Sequence, residues 1–131
     1  MTRKEKELLA RDLSGRLDYE PYIKIEGCTN GCTSVFLTGI YYDYEDYGAK
    51  NYYVNNGYDI SRVKPYLFPL SSMTLEQSKI YHELIGGMFE TSALINFEVL
   101  EDFFHKNHFD YRGLIPMGLA IDATNLNIYY Q

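Results

Sequence analysis

Four side chains of the sequence have the types that bind zinc. Cys28 and Cys32 are separated by three residues, and His105 and His108 stand about one helical turn apart. Two thiolates and two imidazoles form a donor set that a tetrahedral zinc ion accepts. Spacing alone does not bring the two pairs together, and the alternative is two free thiols beside a turn and two histidines at a helix end. We therefore expect no metal or other cofactor, with zinc as the alternative.

A catalytic interpretation requires a nucleophile and a base that the fold brings together. The candidates are Ser71, Ser72, the three histidines and 18 carboxylates, and the sequence does not indicate which of them converge. The chain contains no glycine-rich phosphate-binding motif and no nucleophile elbow. The two serines are interpreted as the approach to a helix, where hydroxyls satisfy backbone groups. We expect a noncatalytic protein, with an enzyme whose site is not visible in the sequence as an alternative.

Half of the 14 tyrosines lie between positions 41 and 58, interleaved with acidic residues. Tyrosine combines a large apolar ring with a hydroxyl that tolerates water, so it is frequent in contact surfaces. The stretch predicts either a surface that binds another protein or cross-strand pairs that stabilise a thin sheet. Stacking on single-stranded bases requires a cationic groove, and Lys50 is the only basic residue of the stretch. The predicted surface contains Tyr41, Tyr42, Tyr44, Tyr47, Tyr52 and Tyr53.

The charge of the chain limits its partners. Lys and Arg number 12 against 18 Asp and Glu, which gives a net charge of -6 at pH 7. This balance argues against a general affinity for phosphate backbones, and we expect no direct binding of nucleic acid. Five of the basic residues lie in the first 16 positions, so the remainder is more acidic than the whole. An acidic protein that imitates nucleic acid and inhibits a host enzyme is therefore an alternative function.

Length and composition predict one domain over residues 1–131, since 46% of the residues are hydrophobic. Two cysteines are too few for a disulfide framework. The sequence begins with charged residues and contains no apolar run that approaches the length of a membrane span. We expect a cytoplasmic protein that does not contact a membrane.

Two helices are predicted from capping boxes, in which a side chain and a backbone group satisfy each other at a helix start. Thr2 and Glu5 predict a helix over about residues 3–16, whose leucines at positions 9, 13 and 17 form an apolar stripe. Thr74 and Gln77 predict a second helix over about residues 75–85, ended by two glycines.

A third helix is predicted from about Phe97 to Lys106, with Asn96 as its cap. The expected core side comprises Phe97, Val99, Leu100, Phe103 and Phe104, and the expected solvent side comprises Glu98, Glu101, Asp102, His105 and Lys106.

Residues 22–41 predict a hairpin that turns around positions 29–31. A three-residue loop places Ile25 opposite Val35 and Ile23 opposite Leu37, and it separates apolar from polar faces better than a two-residue loop. That register also places the two cysteines opposite each other. Further strands are predicted near residues 50–54 and 58–63, and two prolines between positions 63 and 69 predict that the chain then leaves the sheet.

These elements predict the α+β class. We expect a small antiparallel sheet of three to five strands, with an N-terminal helix and two later helices packed on it.

Three segments resemble a family of short uncharacterised proteins carried by prophages and phages of Bacteroides-type gut bacteria. The similar strings are ELLARDL at positions 7–13, VKPYLFPLSSMT at positions 63–74 and HFDYRGLI at positions 108–115, followed by GLA at positions 118–120. Residues 26–58, which include half of the tyrosines, lie outside the likeness. The resemblance implies a mobile-element origin and supplies no activity.

The last of these segments combines residues with distinct structural uses. Asp110 is suited to cap the next turn, Arg112 to pair with a carboxylate and Gly113 to allow a left-handed bend. A second candidate surface comprises His108, Asp110, Tyr111 and Arg112. The function expected from these observations is a noncatalytic accessory protein that binds a protein partner.

Overall fold

The computed structural model describes residues 1–28, 31–44, 48, 50–87 and 93–129, with the side chains of all of these except 28, 31, 32, 87 and 93–96. The fold is α+β, as the sequence predicts. The described residues form three α-helices: α1 (Arg3–Arg16), α2 (Leu75–Gly87) and α3 (Ala93–Lys106). The strands are β1 (Tyr22–Cys28), β2 (Gly31–Phe36), β3 (Ile40–Tyr44), β4 (Lys50–Val54), β5 (Tyr58–Asp59), β6 (Val63–Pro69), β7 (Phe109–Asp110) and β8 (Ile121–Asp122).

The strands form two sheets. One has the order β2-β1-β6-β7, with β8 also paired to β6, and its two short late strands run parallel to β6. The other is antiparallel, with the order β3-β4-β5. The larger sheet is therefore mixed: β1 pairs antiparallel with β2 and β6, whereas β7 and β8 pair parallel with β6.

α1 begins and ends at the predicted residues. The Thr2 hydroxyl accepts a hydrogen bond from the Glu5 amide at 3.1 Å, and the Glu5 carboxylate accepts one from the Thr2 amide at 2.8 Å. Leu9 and Leu13 are fully buried, so the predicted apolar stripe contacts the core. α2 likewise starts at its predicted capping box, in which Thr74 and Gln77 exchange hydrogen bonds of 2.9 and 3.1 Å.

α3 corrects the predicted third helix. It begins at Ala93, so Asn96 lies within the helix and is not its cap. His105, expected in solvent, is only 4% exposed, whereas Phe97 and Val99, expected in the core, are 49% and 46% exposed. The core side is rotated toward His105 because α3 packs against the end of α1, a contact that the helix periodicity does not encode.

The register of β1 and β2 differs from the predicted one. Ile25 pairs with Thr33 and Ile23 with Val35, so the pairing is shifted by two residues from that with Val35 and Leu37 as partners. A shift of two preserves the side-chain faces, and both isoleucines are buried as expected.

The shift arises at the end of β1. The pairing is irregular between Ile25 and Cys28, and Gly27 has a φ of +75° that suits a bulge. Cys28 pairs with Gly31, so the two cysteines are not directly opposed as the predicted register required. This pairing of Cys28 accounts for one residue of the shift, and the bulge between Ile25 and Cys28 accounts for the other.

β6 corrects the prediction that the chain leaves the sheet between residues 63 and 69. It pairs with β1, β7 and β8. Pro65 lies opposite Ile23. At the next pair of the ladder, Tyr22 and Tyr66, the backbone groups bond through a side chain, since the Tyr22 amide and the Tyr66 carbonyl both bond to the Tyr129 hydroxyl. Because hydrogen-bonded and non-hydrogen-bonded pairs alternate in an antiparallel ladder, Pro65 occupies a position that needs no N–H toward β1.

The predicted strand over residues 58–63 is divided. β5 ends at Asp59, and a single 3₁₀ turn from Ile60 to Arg62 leads into β6. The Asp59 carboxylate caps this turn by accepting a hydrogen bond of 2.9 Å from the Ser61 amide.

The described part of the chain has two apolar core clusters. The larger joins α1 to both sheets, and the smaller joins α3 to β7. Among the residues described, no helix has both the length and the apolar composition that crossing a membrane requires.

Candidate functional site

The register of β3 and β4 divides the candidate tyrosines between two faces of the smaller sheet. Tyr42 pairs with Tyr52, and Tyr41 pairs with Tyr53. Because successive side chains of a strand alternate, Tyr42, Tyr44 and Tyr52 share one face, and Tyr41 and Tyr53 share the other. The single surface expected from the sequence is thus two surfaces, and Tyr47 lies outside the described residues.

The tyrosines form cross-strand pairs and are also exposed. The ring centroids of Tyr41 and Tyr53 are 5.4 Å apart and stacked, and those of Tyr42 and Tyr52 are 6.1 Å apart. Tyr44 meets the ring of Tyr42 edge-on at 5.6 Å. Tyr41, Tyr42 and Tyr44 nevertheless remain 47%, 49% and 63% exposed. Both structural features considered for the stretch are present, namely pairs that stiffen the sheet and accessible aromatic area.

The face that carries Tyr42 lies across a groove from α1. The groove has a volume of about 610 Å³. Its α1 side is lined by Arg3, Glu7, Ala10, Arg11 and Ser14, and its sheet side includes Ile40, Tyr41, Tyr42, Lys50 and Tyr52.

The groove is more cationic than the sequence indicated. Arg3 and Arg11 come from α1 and face the same space as Lys50, and Glu7 is the one carboxylate among the described lining residues. The Lys50 ammonium lies 4.3 Å from the centroid of the Tyr42 ring, a cation–π contact. Sequence reasoning missed Arg3 and Arg11 because they are some 40 positions away in the chain. The one indication of these two arginines in the sequence is the concentration of basic residues in the first helix.

β3 is an edge strand. Within the described part of the chain it pairs with β4 alone, and Tyr41 to Tyr44 are all exposed. Its outer edge therefore presents backbone N–H and C=O groups that another extended chain can pair with.

The second candidate surface, of which Asp110 alone is buried, is joined to a buried network on α1. Asp12 accepts a hydrogen bond from Arg16 Nε at 2.7 Å and another from Arg112 Nε at 3.2 Å. Arg16 also donates from Nη2 to the Phe109 carbonyl at 2.6 Å, and the side chains of Asp12 and Arg16 are fully buried. The expected pairing of Arg112 with a carboxylate is confirmed, and its partner lies on α1.

Asp110 and Gly113 have the expected structural uses. The Asp110 carboxylate accepts hydrogen bonds from the amides of Leu114 at 2.9 Å and Ile115 at 2.8 Å. Gly113 adopts a φ of +79°. Asp110 is 6% exposed, so its carboxylate is directed to the turn that it caps and not to solvent.

Tyr111 connects this network to α3. Its ring stacks on that of Phe104 with centroids 4.9 Å apart, and its hydroxyl lies 2.8 Å from His105 Nε2. The guanidinium groups of Arg16 and Arg112 lie 5.5 and 4.9 Å from the Tyr111 ring centroid. Burial is the main cause that lowers the pKa of His105 and raises that of Tyr111. Sequence reasoning missed Asp12, Arg16 and His105 in this network.

His108 lies beside a polar cleft between β6, α2 and the C-terminal segment. It has a φ of +59°, and its ring stacks on that of Tyr129 with centroids 3.7 Å apart. Its Nδ1 is buried without a hydrogen-bond partner in the described structure. Burial lowers the pKa of His108 to about 4, so the ring is neutral at pH 7.

The hydroxyl groups of this cleft are engaged in local structure. Ser72 donates to the Pro69 carbonyl at 2.7 Å, and Thr74 belongs to the capping box of α2. No carboxylate lines the cleft among the described residues. The arrangement provides a neutral imidazole and no adjacent activated nucleophile.

The four side chains of the zinc hypothesis are described only in part. The described residues contain no group of three or more His, Cys, Asp or Glu side chains that could hold a metal ion, and the side chains of Cys28 and Cys32 lie outside them. His105 is engaged with Tyr111, and His108 with Tyr129.

Comparisons of the chain with protein-family models, with curated proteins and with solved structures give no match. The function is therefore inferred from the geometry of the chain itself.

Proposed function

We propose that the protein is a noncatalytic accessory protein of the cytoplasm that binds another protein through β3 and β4. The mobile-element origin implied by the family resemblance supplies the setting. The observation that carries the proposal is the exposure of Tyr41, Tyr42 and Tyr44 on an edge strand whose rings are already held in place.

Held rings favour binding for an entropic reason. A side chain that is ordered before a partner arrives loses little rotamer freedom on binding, and tyrosine has few rotatable bonds. Tyr42 is fixed by Tyr44, Tyr52 and Lys50, and Tyr41 is fixed by Tyr53. The surface thus offers large aromatic area at low entropic cost.

A capture experiment with matched variants tests the proposal. The wild-type protein is immobilised, host lysate of a Bacteroides-type bacterium is passed over it, and bound proteins are identified by mass spectrometry. The test variant is Tyr42→Thr with Tyr44→Thr, which keeps a β-branched residue in the strand. The control variant is Leu75→Ser with Val99→Thr, which removes exposed apolar area from α2 and α3.

We expect a protein that the wild type and the control capture and that the test variant does not. Equal capture by all three proteins would contradict the proposal. If the captured protein binds nucleic acid and DNA displaces it, the acidic inhibitor becomes the better account, since the net charge of -6 is its basis.

A further inference from the structure

The groove between α1 and the smaller sheet indicates the chemistry of the partner. We infer that it binds an extended acidic segment of a protein, which adds as a strand to the outer edge of β3. This inference rests on the proposed function and specifies the partner of the same surface.

Charge complementarity supports an acidic segment. Among the described residues, Arg3, Arg11 and Lys50 line the groove together with a single carboxylate, that of Glu7. Within the described structure the ion pairs are formed by other cations, so none of these three is neutralised by a carboxylate. The described lining of the groove therefore carries a net positive charge, on a protein whose net charge is -6. An acidic segment is attracted there and repelled by much of the remaining surface, which directs it to this site.

The edge of β3 supports an extended conformation. Tyr41 and Tyr42 are consecutive and point to opposite faces of the sheet, yet both line the groove. The groove therefore reaches the outer edge of the strand. A peptide in the groove can pair with the backbone of β3 while its acidic side chains approach the cations of α1.

A single-stranded nucleic acid fits the groove less well, although it too is an anion. Base stacking requires open ring faces, and Lys50 covers one face of Tyr42 while Tyr53 covers one face of Tyr41, which leaves fewer faces for bases. The backbone groups at the edge of β3 also match those of a peptide strand and not those of a nucleic acid.

Selection from a random peptide library tests the inference directly, because it samples every side-chain chemistry at once. Twelve-residue peptides displayed on phage are selected on the wild-type protein. Enriched sequences are synthesised with a fluorescent label, and binding is measured by anisotropy. A labelled oligothymidine of ten nucleotides, which represents single-stranded nucleic acid, is measured in parallel.

We expect the enriched peptides to be rich in Asp and Glu and to bind more weakly as the salt concentration rises. The variant Arg11→Glu with Lys50→Glu should weaken their binding about tenfold or more, because two attractions become repulsions. The control, Lys4→Glu with Lys79→Glu, changes two lysines that do not line the groove and should weaken binding less than about twofold. Methylation of alternate peptide amides should also abolish binding, because it removes the donors of the added strand.

Enrichment of neutral or basic peptides, or equal binding by both charge variants, would overturn the inference. Tighter binding of oligothymidine than of any peptide, lost in the Arg11→Glu and Lys50→Glu variant, would replace it with a nucleic-acid site. If the tyrosine variant still loses a captured protein while the selected peptides are not acidic, the proposed function stands and only the partner chemistry fails.

Discussion

At the scale of single residues, Asp12 is the residue on which the buried network depends. It accepts hydrogen bonds from Arg16 and Arg112, and the side chain of Arg16 has no exposure to solvent. A buried ion pair contributes little net stability, but removal of one partner leaves an uncompensated charge in the interior. Arg112, from the second candidate surface, therefore helps to hold α1 against the segment that follows α3.

We predict a large difference between two substitutions in this network. Asp12→Ala should lower the free energy of unfolding by about 3–5 kcal/mol, because Arg16 remains buried without its carboxylate. Arg112→Ala should lower it by about 1 kcal/mol, because Asp12 keeps its bond to Arg16. Urea unfolding followed by circular dichroism measures both values, and similar losses in the two variants would contradict the assignment.

Gly15 provides a second test at this scale. An alanine Cβ at this position would lie 2.7 Å from His105 Cε1. Gly15→Ala should therefore destabilise the protein by about 1–3 kcal/mol through overpacking, although the same change in an open helix stabilises by about 1 kcal/mol. In a His105→Ala background the substitution should be stabilising. Urea unfolding measures both effects. If Gly15→Ala also destabilises the His105→Ala protein, the His105 ring is not what excludes a Cβ at position 15.

The burial of His108 predicts a dependence of stability on pH. Its pKa of about 4 in the folded protein lies below the value of about 6.5 in the unfolded chain, so the unfolded chain binds more protons between these values. Stability should consequently fall on acidification from pH 7 to pH 5, with about 1–2 kcal/mol of the loss due to this group.

His108→Asn isolates that contribution, because asparagine tolerates the positive φ of this position and does not titrate. We expect the fall in unfolding free energy between pH 7 and pH 5 to be smaller in the variant than in the wild type. An identical fall in both proteins would show that His108 is protonated equally easily in the folded state.

At the scale of elements, the C-terminal segment completes the larger sheet. The Tyr129 hydroxyl accepts a hydrogen bond from the Tyr22 amide and donates one to the Tyr66 carbonyl, each at 2.8 Å. It occupies the place where β1 and β6 would otherwise bond directly. Burial raises the pKa of Tyr129 far above its ordinary value, so the hydroxyl retains its proton.

We predict that Tyr129→Phe lowers the free energy of unfolding by about 1–3 kcal/mol, because it leaves two partly buried backbone groups without a partner. The amide of Tyr22 should exchange with deuterium faster in this variant. Tyr41→Phe removes an exposed hydroxyl and serves as the control, with an expected change within about 0.5 kcal/mol. Unchanged exchange at Tyr22 would contradict the bridging role.

The elements that could be predicted from the sequence are those with local causes. The bounds of α1 follow from the reciprocal bonds of Thr2 and Glu5, which are close in the chain. The continuation of the sheet through Pro65 could not be predicted in this way, because it depends on which pairs of the β1–β6 ladder exchange hydrogen bonds. The burial of His105 depends on α1, which is remote in sequence.

The candidate site likewise has one part that the local sequence predicted and another that depends on packing between remote segments. The tyrosine-rich stretch was visible as composition, whereas its division between two faces required the register of β3 and β4. The approach of Arg3 and Arg11 to that stretch required the packing of α1. Local patterns therefore identified the aromatic half of the groove, and the fold supplied its cationic half.

At the scale of the whole molecule, two apolar clusters are connected through a charged residue. Arg16 lies on α1, which belongs to the larger cluster, and bonds to the carbonyl of Phe109, which belongs to the smaller one. This interior leaves the outer edge of β3 and the groove beside it accessible. Ile40 and Tyr52 belong to both the groove and the core, but Tyr42 and Tyr44 are exposed and lie outside both clusters. Substitution of Tyr42 and Tyr44 can therefore remove binding without unfolding the protein.

The proposed partner binds at β3 and β4. Hydrogen–deuterium exchange of the protein alone and with a captured partner or a selected peptide locates the contact directly. We predict slower exchange at residues 40–44, where added backbone bonds protect β3, and unchanged exchange in α2 and α3. Protection confined to α2 and α3, with β3 exchanging as in the free protein, would contradict the account.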